Sequence, residues 1–80
     1  MTPSMNTDEK LIYMANQIAD FFAAQGEARA VLGIAEHIRK FWTPQMRTDF
    51  LALVAKDDSG LKAYVKKAVP LITVPAKAAG

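Results

Sequence analysis

The chain has 80 residues, 51% of them apolar and 22% charged, with no cysteine and a formal net charge of +2. This is the composition of a folded domain rather than a disordered segment, yet a chain this short buries only roughly 60% of the surface its unfolded form exposes. The composition excludes disulfides, thiolate catalysis and cysteine metal sites, and it leaves association as the way to supplement a small core.

The opening residues MTPSMNTDEK have neither the basic region nor the apolar run of a signal peptide. No apolar stretch approaches the roughly 20 residues needed to span a bilayer, so a soluble, cytoplasmic chain without a membrane partner is expected. A first helix is predicted over about 8–25. Asn6 can cap it with Glu9 at the third helical position, and Gly26 suits a left-handed residue past its end. Leu11, Met14, Ala15, Ile18 and Phe22 recur at helical spacing, and Phe21 and Ile12 flank that stripe, so the apolar arc covers about half the circumference. Such a helix needs neighbours on more than one side.

A second helix is predicted over about 27–42, with Val31, Ile34, Ala35, Ile38 and Trp42 facing inward. Thr43-Pro44 stops it and begins the next, because proline disfavours a helical residue before it but is welcome at the first helical position, with Thr43 as the cap. The third helix, about 44–55, turns Met46, Phe50, Leu53 and Val54 inward and fades at KDDSG. A fourth, about 60–69, places Leu61, Tyr64, Val65 and Ala68 on one side and Lys62, Lys66 and Lys67 on the other, and Pro70 is expected to end it. The tail 70–80 has two prolines and no helical period, although LITV is strand-like in composition. With no repeat and no strand pair, the expected fold is all-α: one small bundle of three to four helices with an extended C-terminal tail.

The stretch HIRKFWTPQMR, residues 37–47, holds the only histidine and the only tryptophan. Helical geometry nevertheless separates its charges. His37 and Arg39 fall about 100° to either side of the apolar face, and Lys40 points outward. With no second His or Cys, His37 is not expected to act as a base or metal ligand. Cationic side chains in the last turn of a helix are already explained by the partial negative charge of its C-terminal carbonyls. Phe41, Trp42 and Met46 read first as packing between consecutive helices, with Trp42 and Arg47 also suited to an interface. There is no phosphate loop, no paired Ser and His and no dinucleotide fingerprint, and Asp57 and Asp58 before Ser59-Gly60 read as turn formers. Catalysis within this chain is not expected.

A helix-turn-helix reading would make residues 27–41 the recognition helix, but its outer face shows Arg29, Gly33, Glu36 and Lys40, a poor reader of phosphates or bases. The lysine face of the fourth helix suits phosphates better, although a solvated charged face explains it equally simply. Gly33 costs a helix interior about 1 kcal/mol relative to Ala. With Ala30 it suggests either close approach of a partner across the outside of the second helix or simple tolerance of glycine.

LIYMANQIADFF followed by GIAEHIRKFWTPQMR resembles the delta subunit of cytoplasmic NAD-dependent, molybdenum-containing formate dehydrogenases. The resemblance covers about residues 10–53 and rests on the paired blocks MANQI and HIRKFWTPQMR. It implies a small non-catalytic accessory subunit of an enzyme complex that oxidises formate to carbon dioxide and reduces NAD, supporting assembly or stability by docking on the large alpha subunit. It further implies that bis-molybdopterin guanine dinucleotide, iron–sulfur clusters, FMN and the NAD site belong to other subunits and that this chain binds no cofactor or metal. Placed on the predicted helices, Met14, Ile18 and Met46 look inward, whereas Asn16, Gln17, His37, Arg39, Trp42 and Arg47 are the expected partner contacts. The alternative from a different class is a small helical nucleic-acid-binding or regulatory module, motivated by the lysine face.

Overall fold

A computed structural model describes residues 7–72, which fold into an all-α bundle with no strand among them. The elements are α1 (Thr7–Phe22), a single 3-10 turn (Ala23–Gln25), α2 (Glu27–Phe41), α3 (Pro44–Lys56) and α4 (Ala63–Ile72). Asn6, the expected cap of the first helix, and residues 73–80 of the expected tail lie outside the described residues.

Helix α2 is the central element, packed against α4 on one side and α1 on the other, while α3 rests mainly on α1. The chain passes from α1 to α2 through Gly26, whose φ of 93° and ψ of 157° lie in a region open in practice only to glycine. From α2 to α3 there is no loop to speak of. Trp42 and Thr43 are extended, the Thr43 hydroxyl accepts from the Met46 amide at 3.1 Å, and Pro44 opens the new helix, as the Thr-Pro pair predicts.

The core combines Leu11, Ala15 and Ala19 of α1 with Ile34, Ala35 and Ile38 of α2 and with Val65, Ala68 and Ile72 of α4; Trp42, Phe50 and Leu61 complete it. In α1 the buried line is Leu11–Ala15–Ala19, with Met14, Ile18 and Phe22 only half-buried. The expected stripe is therefore rotated. Alanines let α1 approach its neighbours closely, and the larger side chains are displaced to the flank. In α3 only Phe50 is fully buried, held edge to face against Trp42 at 5.3 Å between ring centres.

The fourth helix departs from expectation at both ends. Leu61 is buried as predicted but precedes the helix, which starts at Ala63 and runs through Pro70 to Ile72. Proline removes its own N–H donor to the carbonyl four residues back, but Ile72 is 1% exposed. Burial of that side chain holds a last turn that local preference would have ended, so residues 70–72 belong to the helix and not to the tail.

Candidate functional site

The six residues expected to meet a partner separate into four places. Gln17, His37 and Trp42 converge on one groove of about 280 Å³ between α1 and the end of α2, together with Met14, Ile18, Phe21 and Phe22. On α1 the positions 14, 17, 18 and 21 share one face by helical spacing. On α2 Gly33, His37 and Phe41 form a line at four-residue intervals, and α1 lays its terminal aromatics across it. The Phe22 ring covers Gly33, where an added Cβ would come within 2.7 Å of two ring carbons. Gly33 is thus explained inside the chain: the close approach suspected from sequence is made by Phe22 and not by a partner backbone.

Phe21, Phe22 and His37 line the groove, and Phe41 extends their series of rings beside it. Phe21 meets Phe22 edge to face at 5.0 Å, Phe22 meets His37 at 6.5 Å, and His37 meets Phe41 at 4.8 Å. The outer members of this series are largely in solvent, Phe21 at 75% and Phe41 at 70% exposed. Gln17 donates from Nε2 to the Tyr13 hydroxyl at 2.9 Å and sits on the rim. Trp42, at 5% exposed, contributes a wall from the core side, so its main contact is internal.

Asn16 lies elsewhere and is not free to face outward. Its Nδ2 donates to the Gly60 carbonyl and its Oδ1 accepts from the Lys62 amide, both at 2.9 Å. One side chain thereby satisfies a donor and an acceptor of the segment that leads into α4, fastening it to α1. Arg39 points to the opposite side of α2, beside Leu32, Ala35, Glu36 and Leu71. Arg47 is half-buried on α3, with its Nε enclosed and without a hydrogen-bond partner. The basic groups of residues 37–47 do diverge, as helical geometry predicts.

Phe21, which lines the groove, and Phe41, which packs on His37 beside it, are exposed rings outside the six expected contacts. Their signal was present: Phe21 sits on the flank of the wide apolar arc of α1, and Phe41 follows His37 by one helical turn while Trp42 takes the inward position.

Two of the three lysines of the predicted fourth-helix face are in ion pairs. Lys62 pairs with Asp20 at 3.0 Å, and Lys67 pairs with Glu27. These exposed ion pairs tie α4 and the residues leading into it to α2 and α1, and they leave Lys66 as the lysine of that face without an ion pair among the described residues. Near Ser59, the amide and then the hydroxyl of that residue hydrogen-bond Asp57 and hold its carboxyl below the ordinary value of 3.8. Asp57 is therefore a turn former, its oxygen 2.9 Å from the Ser59 amide. Among the described residues no three His, Cys, Asp or Glu side chains gather to hold a metal ion, and no helix is long and apolar enough to cross a membrane. With no cysteine in the chain, the donor set does not fit an iron–sulfur cluster. What the groove offers chemically is apolar and aromatic surface with two polar groups on it, the composition of a recognition surface.

A comparison of the sequence with known families matches residues 10–69 to the NADH-dependent formate dehydrogenase delta subunit FdsD. No curated protein and no solved structure matches the chain.

Proposed function

Because the chain belongs to the family of NADH-dependent formate dehydrogenase delta subunits, we propose that it is a non-catalytic accessory subunit that docks through the aromatic groove on the large molybdenum-containing alpha subunit and supports assembly or stability of the cytoplasmic complex. In this reading the molybdopterin, iron–sulfur, FMN and NAD sites lie in other subunits, and this chain supplies surface alone.

The observation that carries the reading is the ring series Phe21–Phe22–His37–Phe41, whose first three members line the groove and whose end members are 75% and 70% exposed. Isolated exposed apolar residues are ordinary, but a contiguous aromatic patch with a polar rim is the pattern of an interaction site. Covering both rings removes on the order of 250 Å² of apolar surface, worth about 6 kcal/mol before the costs of association. Gln17 and His37 supply the orienting polar groups at the rim, and Trp42 braces the groove from inside. Asn16 serves docking indirectly, by fixing the position of α4 against α1.

The test is co-purification with the alpha subunit and activity of the assembled enzyme, with and without this chain. The Phe21→Ala/Phe41→Ala double variant is expected to lower the affinity at least tenfold while retaining helical content. Fully active, correctly loaded enzyme made in the absence of the chain overturns the assembly role.

A further inference from the structure

The outer face of α2 carries a second, separate apolar feature. Leu32 is 61% exposed, and beside it Leu71 of α4 is 43% exposed. Ala35 forms the floor between them, and Glu36 and Arg39 border a groove of about 330 Å³. Leu32 and Phe41 are nine positions apart, about two and a half helical turns, so they stand on opposite sides of α2. A partner surface seated on the aromatic groove does not reach Leu32.

The charges around Leu32 define what this face accepts. Arg29, Leu32, Glu36 and Arg39 share one face by their spacing. Glu36 is engaged by Lys40 at 3.8 Å, while Arg29 and Arg39, both exposed, have no carboxylate within ion-pair distance among the described residues. The apolar groove is thus bordered by the unpaired guanidinium of Arg39, with Arg29 three positions before Leu32 on the same helix face, and each guanidinium has donors arranged to take a carboxylate in bidentate fashion. With Lys40 paired to Glu36, Arg29 and Arg39 are the Lys and Arg side chains of α2 left without an ion pair among the described residues.

We infer that this Leu32–Arg39–Leu71 face is a second docking surface, and that it takes a protein segment presenting an apolar side chain flanked by aspartate or glutamate. The chain is then an adaptor with two opposed contacts, holding one part of a complex through rings and another through an acidic, apolar-anchored segment. The inference rests on the reading that the chain works inside a multi-subunit complex, but not on the aromatic groove being the site of its first contact.

The experiment uses the assembled complex with the full chain, carrying a photo-reactive benzoylphenylalanine in place of Leu32. A cross-link to a segment of another subunit with carboxylates within a few residues of the captured apolar side chain is the expected result. Leu32→Asp and Arg39→Glu are each expected to weaken retention about tenfold and to flatten its salt dependence. Both positions are exposed, so neither change disturbs the core. Capture of a segment without acidic residues, of residues 73–80 of the same chain or of a second copy overturns the inference, as does absence of any cross-link in the intact complex. The Phe21→Ala/Phe41→Ala variant separates the two readings. If it binds normally while the Leu32 and Arg39 variants do not, the aromatic-groove reading falls and this one stands; the reverse pattern removes this one.

Discussion

Replacing Gly33 by alanine sets two opposed effects against each other at one position. In the helix alone alanine is favoured by about 1 kcal/mol, and Gly33 has no positive φ that would forbid it. The new methyl carbon, however, would lie 2.7 Å from Cδ1 and Cε1 of Phe22 and 3.1 Å from its Cγ, against an optimum of about 3.5–4.0 Å between carbons. The ring must retreat by roughly 1 Å, which disturbs its edge contacts with Phe21 and His37; overpacking of this kind costs about 1–3 kcal/mol. The net expectation for Gly33→Ala is a destabilisation of about 1 kcal/mol. With Phe22→Ala already present the obstruction is gone, only the helical preference remains, and the same substitution stabilises by about 1 kcal/mol. The sign therefore reverses, with a coupling energy of about 2 kcal/mol. Urea unfolding of the four proteins of this cycle, followed by far-ultraviolet circular dichroism, measures it. Equal stabilisation by Gly33→Ala in both backgrounds would refute the placement of the Phe22 ring on Gly33, and with it the wall of the groove.

Asn16→Ala removes two hydrogen bonds to the segment entering α4 and is expected to cost about 1–3 kcal/mol in chemical denaturation. Asn16→Asp keeps the acceptor for the Lys62 amide but turns an oxygen toward the Gly60 carbonyl, so it does not restore wild-type stability. Thr43→Ala deletes the cap of α3 and lowers stability by about 1 kcal/mol, whereas Thr43→Ser retains most of it. For Asp57 the folded pKa is depressed, so its contribution is present above the ordinary carboxylate value of 3.8 and disappears as the pH falls through the lower folded value. Asp57→Asn is expected to flatten this acid limb in denaturation midpoints measured as a function of pH; an unchanged profile would show that the Ser59 turn does not stabilise the fold.

Helices were legible wherever the signal was local. Apolar spacing places α1 to α3, and the Thr43-Pro44 pair marks the corner between α2 and α3 because capping and proline stereochemistry act over a few residues. Features that depend on distant neighbours were not legible. Asn16 reads as an outward polar residue on a helical wheel, since nothing near it in sequence reveals that Gly60 and Lys62 will arrive beside it. Pro70 reads as a terminator, and only the burial of Ile72 against other helices overrides it. Gly33 reads as either a site where a partner approaches closely or a tolerated glycine, and the group that does approach it, the Phe22 ring, follows from the crossing of α1 over α2. The partition of the proposed contacts has the same origin: Gln17, His37 and Trp42 meet across two helices, while Arg39 and Arg47 are carried to other surfaces.

Five buried alanines, Ala15, Ala19, Ala30, Ala35 and Ala68, set the character of the interior. Each brings backbones together without bringing much hydrocarbon with it, while the phenylalanines at positions 21 and 41 remain in water. Hydration of apolar groups governs how the heat content of a fold changes with temperature, so this interior gives a shallow thermal response for its size. Under the proposed docking, covering the outer rings adds a negative heat-capacity change to the association step. In that reading the exposed rings are a reserve of apolar surface for association.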